Sequence, residues 1–431
     1  MIPKIKVKFF VLLCLILPLL LLLQGCWGSK ETDEIGYVLL MGFDKGEENI
    51  LKVTYQMAIP LPVEGGEAEE ATEIIEVEAA SIYGAQQLGS AFVSKELSLS
   101  HNNAIVVSEE LAREGLSKYI NPLVRSRDLR RTTYLMVVKG KAGEFVEKNK
   151  GLIFEKYPSR QLDVFMSAAM FTGFIVDSDI HSFYQCLKSP GREATTGLVA
   201  VQKEKKDEES ETEEKKSKSN EEKIKDEMAY LPGEIPRKGG NKIELIGQAV
   251  FKADKLVGFL DGKETRYYQM LTGDFEKGIF SFPEPKDKEN SLIVMEIKGR
   301  NHPKIRVKAG EKKTVIEVDL LLKGEILSIQ SGINYESGTL KQDLENYIST
   351  IISQDVTQLI KKTQEEFASD IFGFGEYTRE FFWTWQEWVN YAWLAQYPYC
   401  EVKVHTFFNI RRPGMMVKTA PLITKTQKRK Y

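Results

Sequence analysis

Between Leu340 and Ile371, apolar residues recur at three-to-four spacing for more than 30 residues: Leu340, Leu344, Ile348, Ile351, Ile352, Val356, Leu359, Ile360, Phe367 and Ile371. The period matches a helical turn and predicts one long amphipathic helix. Its apolar stripe is stable only when covered, so the chain must also supply a complementary sheet or helix face. Gly373 and Gly375 are placed to stop it, because glycine takes the left-handed cap conformation at little cost. A second, aromatic helix is expected over 377–396 and a last strand over Glu401–Arg411.

Upstream, period-two and helical patterns alternate. Strands are expected at Tyr37–Asp44, at Leu51–Pro60 with Leu51, Val53, Tyr55 and Met57 on one face, and at Glu73–Glu78. Ala79–Leu97 has helical spacing, Ala104–Val107 reads as a buried strand, and Ser108 caps a helix with Glu109 and Glu110 in its first turn. Thr132–Val138 is a strand and Gln161–Leu187 one or two helices. Leu256–Leu260 is a strand, and Gly262–Leu271 a helix ending at Gly273. Leu292–Lys298, Lys304–Val307 and Val315–Ile329 are strands, the last in one piece or two across Gly324. The pattern points to a mixed α/β (α+β) fold, and no internal repeat is present.

The 431 residues allow two to four domains at ~100–200 residues each. Residues 202–230 hold 8 lysines and 11 acids, with Ile224 the one apolar residue up to 227. Such a stretch buries too little to offset its ordering entropy and reads as a solvated insertion between the strands Gly197–Val201 and Ile243–Phe251. The expected organisation is a signal peptide at 1–25 and an N-terminal α/β domain at 26–190. A small middle α/β domain follows at 191–284, with a charged disordered insertion at 202–240. A C-terminal α/β domain at 285–414 and a basic tail at 415–431 complete it.

The first residues carry Lys4, Lys6 and Lys8, then 15 apolar residues from Phe9 to Leu23. That length suits a secretory signal and falls short of the ~20 residues of a spanning helix. Leu23-Gln24-Gly25-Cys26 resembles a bacterial lipobox, with cleavage between Gly25 and Cys26. Cys26 would then carry S-diacylglycerol and an N-acyl group, and two or more acyl chains anchor a protein stably. The expected location is the outer leaflet of a bacterial membrane, with membrane lipid bound through Cys26; an uncleaved signal-anchor helix is the alternative. Cys14 leaves with the signal, so Cys186 and Cys400 remain, as two structural thiols or one long-range disulfide.

The formal net charge of −3 lacks the basic excess of a nucleic-acid binder. No nucleophile elbow, H-E-x-x-H, phosphate loop or G-x-G-x-x-G is present, and His101, His181, His302 and His405 are scattered. Neither an enzyme, a metal site nor a cofactor is expected. From Tyr377 to Tyr399, 10 of 23 residues are aromatic, including Trp383, Trp385, Trp388 and Trp393. Phe381, Phe382, Trp383 and Trp385 cannot all face one side of a helix. They read either as packing against the long helix and sheet, or as a surface for a partner protein or the membrane interface.

Several stretches resemble one family. Cys26-Trp27 and Glu34-Ile35-Gly36-Tyr37-Val38-Leu39-Leu40-Met41-Gly42-Phe43-Asp44 are similar to the opening of the Ger(x)C spore germination lipoproteins. Glu110–Leu116, Arg125–Arg130 and Lys139-Gly140 resemble their first domain. Gly247–Phe251, Leu256-Val257-Gly258 and Glu264-Thr265 resemble the middle one. Asp370-Ile371-Phe372-Gly373-Phe374-Gly375, Trp385, Trp388 and Asn409–Gly414 resemble the last. The resemblance implies a three-domain exported lipoprotein without enzymatic activity, the C subunit of a nutrient germinant receptor. Its partners would be two integral-membrane subunits in the spore inner membrane. An extracytoplasmic solute-binding lipoprotein that captures a nutrient directly is the alternative.

Overall fold

The computed structural model describes residues 34–59, 71–149, 171–202, 228–286, 291–299, 302–308, 313–336 and 338–412, with isolated positions at 10, 160, 163, 164, 166 and 167. Gly25 and Cys26, most of the charged insertion and the basic tail lie outside the described residues. The fold is mixed α+β, and its described strands form a nine-stranded and a five-stranded sheet.

The first sheet takes β1 (Ile35–Lys45), β2 (Leu51–Ile59), β3 (Ala71–Ala79), β4 (Glu96–Ser98), β5 (Ala104–Ser108), β6 (Tyr134–Val138), β7 (Thr195–Val201), β8 (Ile243–Lys252) and β9 (Lys255–Leu260). Their order is β3-β2-β1-β5-β6-β7-β8-β9, with β4 beside the start of β1. The central β1, β5, β6 and β7 are parallel and covered on both faces. That is why Ala104–Val107 and Leu135–Val138 are unbroken apolar runs rather than alternating ones. One face packs on α1 (Ile82–Val93), α2 (Glu109–Glu114), α3 (Ser117–Arg125) and α5 (Ile180–Lys188), the other on α4 (Ala142–Lys148). Asp44 accepts the Ala142 and Gly143 amides at 2.9 and 2.7 Å and so caps α4.

Two expectations are corrected here. The boundary at 190 falls inside this sheet: β7 pairs in parallel with β6 and antiparallel with β8, so the strands assigned to a middle domain extend the first sheet. Their apolar faces needed the cover of an existing sheet, which segment composition does not reveal. The helix over Ala79–Leu97 is shorter, because Ser81 caps it at Gly84 and Ser94, at φ 60°, ends it ahead of β4.

After β9 comes α6 (Gly262–Thr272), opened by the reciprocal Asp261–Glu264 capping box and closed by Gly273 at φ 84°. The second sheet begins before the expected boundary at 284, with β10 (Lys277–Pro283). It continues through β11 (Leu292–Lys298), β12 (Lys304–Lys308), an uninterrupted β13 (Val315–Ile329) and β14 (Glu401–Arg412). β14 runs parallel to β13, while β11 and β12 share the opposite edge in tandem. The long helix is α7 (Gly338–Glu365), which buries Leu344, Ile348, Ile352, Val356, Leu359 and Ile360 against this sheet. Each such side chain stabilises the fold by roughly 1.5–3 kcal/mol.

Helix α7 also covers the edge of β14. The amides of Ile410, Phe408 and Thr406 donate to Glu345 Oε1, Ser349 Oγ and Ser353 Oγ at 2.7, 3.3 and 3.2 Å. Four helical residues rise ~6 Å and two strand residues ~6.6 Å, so the ladder stays in step. It blunts an edge that would otherwise template further pairing. Replacing Ser349 and Ser353 together by Ala should cost about 1 kcal/mol for each lost bond and speed hydrogen exchange at Phe408 and Thr406. Unchanged exchange at those two amides would remove the ladder from the account.

Candidate functional site

The residues between α7 and β14 form the strongest candidate surface, and one carboxylate organises them. Asp370 is 1 % exposed. Its Oδ1 accepts the amides of Phe372, Gly373 and Phe374, and its Oδ2 accepts Gly375 N at 3.0 Å and Trp393 Nε1 at 2.7 Å. Burial pushes this carboxyl up to about 6, against those donors, so at neutral pH it is the anion they require. Gly373 sits at φ 75°, and Gly375 leaves no room for a Cβ beside the Trp393 indole. The Asp370–Gly375 motif is therefore a turn wound around one carboxylate.

This turn replaces the end of the expected helix. α7 stops at Glu365, Ala368 adopts φ 47°, and Ser369 Oγ donates to the Phe251 carbonyl at 2.6 Å. The expected aromatic helix over 377–396 is likewise broken, into a 3-10 helix (Phe374–Phe381), α8 (Trp385–Asn390) and α9 (Trp393–Gln396). Thr384 and Glu387 form a capping box that starts α8, and Ala392 at φ 50° separates it from α9.

The breaks sort the four tryptophans. Trp393 is fully buried on Asp370, and Trp388 is 5 % exposed with its Nε1 on Thr378 Oγ1 at 3.0 Å, so neither is surface. Trp383 is 96 % exposed and Trp385 56 %, with Tyr377 and Phe381 also exposed nearby. A single helix would have rotated these rings past one another; the broken segment buries two and turns two outward. Cys186 and Cys400 are free thiols, and burial pushes Cys400 up to about 12, which keeps it a neutral core thiol. No group of three or more His, Cys, Asp or Glu is placed to hold a metal among the described residues.

Residues the sequence did not single out join this segment to the first sheet. The Glu193 amide donates to the Asp370 carbonyl at 2.8 Å, and its side chain accepts the Ala253 amide at 2.7 Å. Burial pushes the Glu193 carboxyl up to about 7 from 4.5. A folded value above the unfolded one means stability is fully present below about 4.5 and lost as pH rises through about 7. Glu193→Gln should therefore stabilise the fold well above pH 7, by up to about 3 kcal/mol, and change little below pH 4.5. Thermal midpoints measured on both sides of that window check it; an equal shift at both would contradict it.

Two family models cover most of the chain: the spore germination protein N-terminal domain matches residues 28–201, and the spore germination B3/GerAC-like C-terminal domain matches residues 246–414. Spore germination protein B3 of Bacillus subtilis is 24 % identical, over 85 % of this chain and 86 % of its own. Spore germination protein GerQC of Bacillus cereus is 22 % identical, over 93 % of this chain and 98 % of its own. The crystal structure of the GerBC protein shares the fold, with a TM-score of 0.51 at 20 % identity over 86 % of this chain and 96 % of that one. With both halves matched in order, this chain belongs to the Ger(x)C family of spore germination proteins, which is not a family of enzymes.

Proposed function

We propose that the chain is a lipid-anchored subunit of a spore nutrient germinant receptor, acting by assembly with integral-membrane subunits. The observation that carries this reading is the exposed pair Trp383 and Trp385 on a segment pinned by a buried carboxylate. A fully exposed Trp on a rigid support is a costly surface for an isolated protein and a common anchor at interfaces. Family membership supplies the context of germination. The lipobox-like Leu23–Cys26 supports anchoring to the outer leaflet of the spore inner membrane, with the folded body outside the cytoplasm.

Two experiments separate the parts of this reading. Cys26→Ala should move the protein from the membrane to the soluble fraction and impair germination; full membrane retention of that variant would exclude the lipid anchor. Trp383→Ala combined with Trp385→Ala should leave the thermal midpoint unchanged and weaken co-purification with the membrane subunits by at least about tenfold. Undiminished co-purification would show that these rings are not the docking surface.

A further inference from the structure

Between α5 and the start of β7 on one side, and α6 and the start of β10 on the other, lies a cavity of about 590 Å³. Arg192 lines it. One Nη donates to the Tyr268 hydroxyl at 2.8 Å and Nε to the Ile371 carbonyl at 3.3 Å, both neutral acceptors. Glu376 is the carboxylate whose field reaches this guanidinium, yet among the described residues none comes within ion-pair distance of it. Its second Nη has no acceptor there either. A guanidinium largely withdrawn from water is normally paired with an anion, because the uncompensated charge is costly.

The opposite charge stands at the exposed part of the same lining. Asp177, Asp274 and Glu276 all border the cavity, and none forms an ion pair among the described residues. Asp274 takes one hydrogen bond, from the Thr272 hydroxyl at 2.7 Å, and Asp177 and Asp274 are close enough to feel each other's charge. Ile175, Val176 and Phe183 supply buried apolar wall. An anion alone would meet three carboxylates, and a cation alone would leave Arg192 without its counter-charge. A molecule carrying both charges on an apolar body satisfies every part of the lining.

We propose that this cavity binds a small zwitterion with an apolar side chain. Its carboxylate pairs with Arg192, its ammonium sits between Asp177 and Asp274, and its side chain rests on Phe183, Ile175 and Val176. The proposal adds a ligand site to a subunit otherwise read as an assembly element, and it is tested on the isolated chain, so failure of assembly leaves it standing and the reverse.

The test is calorimetry on the full-length protein in detergent, with L-leucine and with its two halves, 4-methylpentanoate and 3-methylbutylamine. L-leucine should bind saturably, and each half at least about tenfold more weakly, because each forfeits a charge-assisted contact. Arg192→Gln should abolish binding, but Arg192 also holds Ile371 and Tyr268, so Asp274→Asn is the more selective variant. Asparagine keeps an oxygen for the Thr272 hydroxyl, so the thermal midpoint should stay constant. L-leucine should weaken several-fold, while 4-methylpentanoate should not. No binding of L-leucine at millimolar concentration, or equal L-leucine affinity of Asp274→Asn and the unaltered protein, would overturn the proposal.

Discussion

A single buried carboxylate, Asp370, shapes the turn that meets the first half of the molecule. Asp370 receives four backbone amides and one indole, which compensates the desolvation of a buried anion. Its neighbours then serve as the suture. The Ser369 hydroxyl and the Asp370 and Ile371 carbonyls bond to Phe251, Glu193 and Arg192 of the first half. Loosening the carboxylate would free the turn, and with it both the seam and the aromatic segment that the turn carries.

The second sheet shows how helix and strand share the burden of an exposed edge. α7 covers the face of β14 with aliphatic side chains and its edge with Glu345, Ser349 and Ser353. On the other side of β13 the sheet meets solvent through paired charges, such as Arg306 with Asp319 at 2.8 Å and Lys308 with Glu317 at 2.8 Å. Those exposed pairs contribute little stability each but oppose edge and face association. Trp383 and Trp385 are among the large apolar side chains that stay exposed.

Much of the fold is legible because local pattern and tertiary burial agree. Leu51, Val53, Tyr55 and Met57 alternate and are all buried on one face of β2. Ser108 caps its helix, Gly273 closes another, and the strands flanking the charged insertion pair with each other. β10 is not legible, since Lys277–Pro283 interleaves Gly278, Ser281 and Pro283 with its aromatics, and only pairing with β11 makes it a strand. The family motifs were visible as residues but not as roles: Asp44 is a helix cap, Asp370 a turn centre, and Gly258 a contact surface for the Phe367 ring.

By itself the sequence determined the element types, the long helix, the position of the insertion and the family, because each depends on residues near one another along the chain. Only the tertiary structure decided that the middle strands extend the first sheet, since a strand edge pairs with whatever edge lies beside it. It also decided which tryptophans face outward. Trp388 and Trp393 differ from Trp383 and Trp385 in no property of the side chain, only in whether Thr378 and Asp370 stand within reach of the indole N–H. Such a partner offsets the cost of burying an indole N–H, and partners distant in sequence are brought together by folding alone.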